Sequence, residues 1–316
     1  MRSSVAGDVT RRHPALRAVS ILAAGLAAIL ASPAGAFTIF ACEPEWAALA
    51  RVLMPDAIVH TATTVHQDPH YIEARPRLIA LLRGADLAVC TGASVEAGWL
   101  PVLQQRAGNP KVQDGAPGMF YAAGHTGLID PAPSGGGPFA GDVHVDGNPH
   151  LHADPRRVLQ VGKALAGQMQ AIVPAQAPRI GERFAQFEIR MTARIADWES
   201  RAMPLRGRSV AAQHATFGYL WQWLGITQSV DLEPRSGMAP TPQHLQRVLQ
   251  TLRQQAPMAI VIATHQDQRP GKWLAGQLGG AVPLLTLPAT VPDAAAPDAL
   301  EQWFEQLLQA LLTPAR

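Results

Sequence analysis

The sequence predicts an α/β protein: two four-stranded parallel βα lobes joined by one long rigid linker helix. Short apolar, β-branched runs alternate with helix-length segments twice, between residues 37 and 114 and again between 209 and 312. Such alternation argues for parallel strands with crossover helices. Between the two sets, residues 179–203 hold no glycine or proline after Gly181, and Phe184, Phe187, Met191, Ile195 and Trp198 recur at i+3 and i+4. That is one helix of about 35 Å at ~1.5 Å per residue, closed by Pro204. The chemistry-bearing residues also fall where strands hand over to helices, the edge at which open parallel sheets bind ligands.

Residues 1–36 read as an export signal. Arg2, Arg11, Arg12 and Arg17 precede an apolar run over 18–31, and Ala34-Gly35-Ala36 suits signal peptidase. The run is too short for a membrane span, as is every later one. Lipidation at Cys42 is the competing reading, but Phe40 suits a lipobox poorly and Cys42 lies well past the apolar run. The formal charge is +2, and the four arginines and Asp8 of the signal account for +3, which leaves −1 on the exported chain. That balance points to neither nucleic acid nor an anionic membrane surface. With 47% hydrophobic residues the chain can bury a large core.

The first lobe is assigned to residues 37–175. Its strands are read at 37–42, 58–64, 85–91 and 111–114, and its helices at 44–53, 74–83 and 99–106. Residues 115–147 form a long loop containing Gly135-Gly136-Gly137, and loops of that length inside a domain are usually functional or mobile. Asp154 and Pro155 then start a helix that carries Val158, Val161, Leu165, Met169 and Ile172 at helical spacing. The linker takes 176–204. The second lobe, 205–316, has strands at 209–213, 229–232, 258–264 and 282–287, with helices at 217–224, 242–255, 271–278 and 299–312. Met258–Thr264 reads M-A-I-V-I-A-T, the clearest buried strand in the chain. Cys42 and Cys90 are the two cysteines. In an oxidising compartment they could pair if the first and third strands are neighbours, or remain buried thiols.

Residues 141–157 read G-D-V-H-V-D-G-N-P-H-L-H-A-D-P-R-R. His144, His150 and His152 are interleaved with Asp142, Asp146 and Asp154, and imidazole and carboxylate are the donors that borderline divalent metals take. On the strand map His70 follows the second strand and His150 the long loop. His214 ends the first strand of the second lobe, and Asp267 follows its third. Two donors from each lobe would suit one tetrahedral ion in the cleft.

In order and spacing, D-P-H-Y-I-E-A-R-P at 68–76, A-D-L-A-V-C-T-G at 85–92, G-N-P-H-L-H-A-D-P-R at 147–156, H-A-T-F-G-Y at 214–219 and D-Q-R-P at 267–270 resemble the periplasmic metal-binding proteins of zinc and manganese ABC importers. The resemblance covers nearly all of the chain after the signal. It implies a monomeric, non-enzymatic periplasmic carrier that delivers its ion to an ABC permease, with ligands at His70, His150, His214 and Asp267. A histidine at the third position resembles the zinc members, so Zn²⁺ is the expected cargo and Mn²⁺ the alternative. The loop departs from many zinc members in holding only His125 and His144, which could form a second weak site, though His144 reads first as a solvated residue. His265, two residues before Asp267, competes with it for the fourth position. A zinc-dependent hydrolase is the rival from another class, but the chain has no H-E-x-x-H, G-x-S-x-G or phosphate loop.

Overall fold

The computed structural model describes residues 36–131, 144–235 and 237–313, with residues 1, 3, 4 and 7. The expected export signal thus lies almost wholly outside the described residues, as do residues 132–143 of the long loop. Contacts divide the chain after Ala36, and Phe37–Arg316 forms one compact unit.

Within that unit the first sheet comprises β1 (Thr38–Ala41), β2 (Ile58–Thr61), β3 (Leu87–Cys90) and β4 (Met119–Tyr121). The second comprises β5 (Ser209–Ala212), β6 (Thr227–Asp231), β7 (Ala259–Ala263) and β8 (Leu284–Leu287). Every pairing is parallel, in the orders β2-β1-β3-β4 and β6-β5-β7-β8. Among the described residues the α-helices are α1 (Pro44–Leu53), α2 (Pro76–Arg83), α3 (Leu100–Ala107), α4 (Pro155–Ile172), α5 (Ala177–Arg201), α6 (Gly218–Leu224), α7 (Pro242–Gln254), α8 (Arg269–Gln277) and α9 (Ala299–Leu312).

The period-two geometry of strands sorts their side chains onto opposite faces. Ile39, Ala41, Leu87 and Val89 of the first sheet, and Val210, Ala212, Val261 and Ala263 of the second, enter one central core. The intervening residues face outward into two separate cores: Phe40 and Ala88 under α2 and α3, Ala211, Ile260 and Ile262 under α7 and α8. Helix α5 supplies Ile180, Phe187, Met191, Ile195 and Trp198 to the central core. The closing helix α9 packs on α1, α5 and β8. Trp198 Nε1 donates to Glu305 at 2.8 Å, and Arg201 forms an ion pair with the same carboxylate. The linker helix is therefore clamped along its length.

Two expectations change. The fourth strand of the first lobe is not at 111–114. Pro110–Val112 is a 3₁₀ turn, capped by the Asn109 side chain accepting from the Lys111 N–H. The strand is instead the three residues Met119–Tyr121, aligned with Ala88, Val89 and Cys90. Gly118 permits the approach, since a Cβ there would stand 2.5 Å from the Lys111 carbonyl and 2.6 Å from that of Asp86. The expected loop thus begins with a strand. The cysteine alternatives are resolved in favour of a Cys42–Cys90 disulfide, its Cα atoms 4.8 Å apart at the ends of adjacent strands β1 and β3.

Candidate metal centre

At the carboxyl edges of both sheets a cavity of about 250 Å³ is lined by His70, His150, His214 and His265. Each histidine is placed by its own local chemistry. Past β2, Asp68 closes a turn: its Oδ1 accepts from the His70 backbone N–H at 3.0 Å and lies 2.7 Å from His70 Nδ1. Trp99 Nε1 pins the same turn through the Pro69 carbonyl at 2.8 Å. His150 ends the long loop, where the Asn148 side chain accepts from its backbone N–H at 2.9 Å. Leu151–Ala153 then makes a 3₁₀ turn into α4, which Asp154 caps.

His214 sits just past β5 with φ +65°, a left-handed conformation that costs a non-glycine residue of order 1–3 kcal/mol and is retained where surroundings dictate it. Asp231 Oδ1 accepts its backbone N–H at 3.3 Å, and Glu233 Oε2 lies 3.1 Å from its Nδ1. Glu233 is itself fixed by the Gly237 N–H at 2.8 Å. His70 and His214 thus each turn Nδ1 to a carboxylate. That pairing assigns the proton to Nδ1 and makes Nε2 the ring nitrogen able to ligate an ion, the arrangement typical of metal-binding histidines.

The ring centroids of His70 and His150 are 5.5 Å apart, those of His150 and His214 5.5 Å, and those of His70 and His214 6.1 Å. His150 Nε2 is buried without a hydrogen-bond partner. A buried ring nitrogen left so is costly, and a metal ion fits it. Burial above all, then the neighbouring His70, His214, His152 and His144, hold the His150 imidazole well below the usual histidine range. It is therefore neutral and ready to donate at pH 7. Burial pushes the Asp68 carboxyl up, but hydrogen bonds and charge from His70 outweigh that and hold it at about 2. Cys42, Cys90 and Glu96 also bring three donor atoms within 4.8 Å of one another. Their sulfurs are joined to each other, so they offer an ion no thiolate.

The structure brings His70, His150 and His214 together and does not bring Asp267 to them. Asp267 is exposed; its carboxylate accepts from the Arg269 backbone at the start of α8 and pairs with the Arg269 guanidinium at 2.6 Å. Two residues earlier the same turn presents His265 to the cavity, and burial lowers that imidazole too. His144, expected to be solvated, lies against His70 with the Nε2 atoms 3.1 Å apart. His125 stacks on the Phe120 ring at 4.6 Å, while His144 is at the cleft. His152 stacks on Trp303 and lies 3.2 Å from the buried Glu45. Trp221 and Trp223 are core residues. Sequence reasoning missed Glu233 and Asn148. Glu233 carries no motif, and only through-space packing links it to His214. Asn148 stands in a quoted motif, where the histidines drew the attention.

Two βα lobes with a nitrogen-rich cleft between their sheet edges define a metal-binding solute receptor. Residues 39–313 match the family model described as ZnuA, zinc-uptake complex component A, periplasmic, and the chain belongs to that family. Its members are periplasmic metal carriers and not enzymes. A solved structure of ZnuA is 18% identical with a TM-score of 0.70, covering 87% of this chain and 99% of that one. FpvC of Pseudomonas aeruginosa with Ni²⁺ is 17% identical with a TM-score of 0.69, covering 88% and 97%. A Cd-bound periplasmic metal-binding protein of Candidatus Liberibacter asiaticus is 15% identical with a TM-score of 0.67, covering 87% and 99%. At these identities the likeness establishes the fold. No curated protein matches the chain in sequence.

Proposed function

We propose that this chain is the zinc receptor of an ABC importer, holding one ion between its lobes through His70, His150 and His214 and handing it to a membrane permease. Residues 1–36 serve as its export signal; the lobes are 37–175 and 205–316, joined by 176–204. The observation that carries the reading is the convergence of three imidazoles from both lobes, two of them oriented by carboxylates. His265 is the fourth protein donor from the second lobe in place of Asp267, because it lines the cavity and Asp267 does not. A site rich in imidazole suits zinc over manganese, which favours oxygen donors and stands lower in the general order of affinities. Proteins of similar fold have been solved bound to Zn, Ni²⁺, Mn²⁺ and Cd, so choice of metal is the point to test. Elemental analysis after periplasmic expression, followed by competition between Zn²⁺ and Mn²⁺ for the stripped chain, does so. One equivalent of zinc, retained against excess Mn²⁺, is expected. Preferential uptake of Mn²⁺ would make the chain a manganese receptor.

A further inference from the structure

Asn148 precedes His150 by two residues and is 5% exposed. All its polar groups are bonded, and the bonds reach both lobes. Its backbone N–H donates to the Ile129 carbonyl at 2.7 Å, and its carbonyl accepts from the Tyr219 hydroxyl at 2.6 Å. Its side-chain Oδ1 accepts from the His150 N–H, and its Nδ2 donates to the Ala215 carbonyl, both at 2.9 Å. Ala215 directly follows His214. One amide therefore spans from the backbone of one histidine to the residue after the other. The second lobe leaves room for it at Gly218, where a Cβ would stand 2.9 Å from Asn148 Nδ2.

We propose that Asn148 is the positioning residue of the metal site. It sets the His150 turn and latches it to the His214 turn, so that the protein fixes the separation of these two imidazoles before an ion arrives. The inference rests on the reading that both histidines bind the metal; Asn148 itself reaches no ion and acts through their backbones. The chemistry calls for an amide, because one end must accept and the other donate. Aspartate would keep the acceptor for His150 but set an oxygen against the Ala215 carbonyl. Alanine removes both bonds. The two substitutions therefore separate orientation of His150 from coupling of the lobes. The arrangement also lowers the ordering cost of binding, as preorganised sites do.

The test uses Co²⁺, whose visible absorption reports coordination geometry, on the exported chain and its Asn148→Ala, Asn148→Asp and His214→Ala variants, with folding checked by circular dichroism. The wild type is expected to take one equivalent with an intense tetrahedral-type band. Asn148→Ala should bind about 10- to 100-fold more weakly, as loss of an outer-shell partner does, with a shifted band. Asn148→Asp should keep the wild-type band, because His150 retains its acceptor, yet bind more weakly. An Asn148→Ala variant with the wild-type band and affinity overturns the proposal. If that variant does not fold, wild-type affinity in Asn148→Asp overturns the latch. Unchanged Co²⁺ binding by His214→Ala is a different failure, that of the metal-site reading beneath it.

Discussion

At the residue scale the site depends on which ring nitrogen of each histidine carries the proton. Glu233 takes His214 Nδ1 and so assigns ligation to Nε2, and Glu233→Gln should weaken zinc binding about 10- to 100-fold without unfolding the chain. A competition titration with a chromophoric chelator measures this, and wild-type affinity would remove Glu233 from the account of the site. Asp267→Ala should bind as the wild type does, because its carboxylate serves Arg269, whereas His265→Ala should bind less tightly. The pH dependence has a definite sign. His150 and His265 are held below their ordinary value of ~6.5, so the unfolded chain binds more protons on them than the folded one. Stability from this source is complete above pH ~6.5 and is lost as pH falls through the folded values. The melting temperature of the metal-free chain should drop between pH 7 and pH 5, and metal affinity should fall with it. A calorimetric melting temperature flat across that range would contradict this. The three central histidines were legible in the sequence because each stands at a strand-to-helix handover. Asp267 and His265 were not separable, because two residues on one turn face different ways and only packing decides which meets the cavity.

At the element scale the most legible feature was α5. Its periodicity survives intact, and the observed helix, Ala177–Arg201, runs two residues ahead of the expected start and end. Phe187 is fully buried in the central core, so Phe187→Ala should destabilise the chain by about 3–5 kcal/mol in chemical denaturation. β4 was illegible, because three residues between glycine-rich turns show no period and earn their place only by pairing with β3. The disulfide was a conditional reading that the strand order settled. It closes a segment of 48 residues, for which the chain-entropy model gives about 4 kcal/mol. A Cys42→Ala, Cys90→Ala double variant should unfold at correspondingly lower denaturant while still binding zinc. Loss of binding at intact fold would mean that the β1–β3 link also shapes the cleft.

At the scale of the whole molecule the two sheets share one core, α5 is fixed to both, and Asn148 joins the lobes beside the site. Metal binding should therefore raise stability by mass action, by about 2.7 kcal/mol at a hundredfold excess over Kd, with little change of shape. Small-angle scattering should give the same radius of gyration with and without zinc. The inter-lobe claim is tested most directly by calorimetric titration of the His214→Ala variant with zinc beside the wild type. One tight equivalent for the wild type, weakened by well over tenfold in the folded variant, is the expected result. A variant that binds zinc as the wild type does would place the site within the first lobe, around His144, His150 and His152, and contradict a metal held between the lobes.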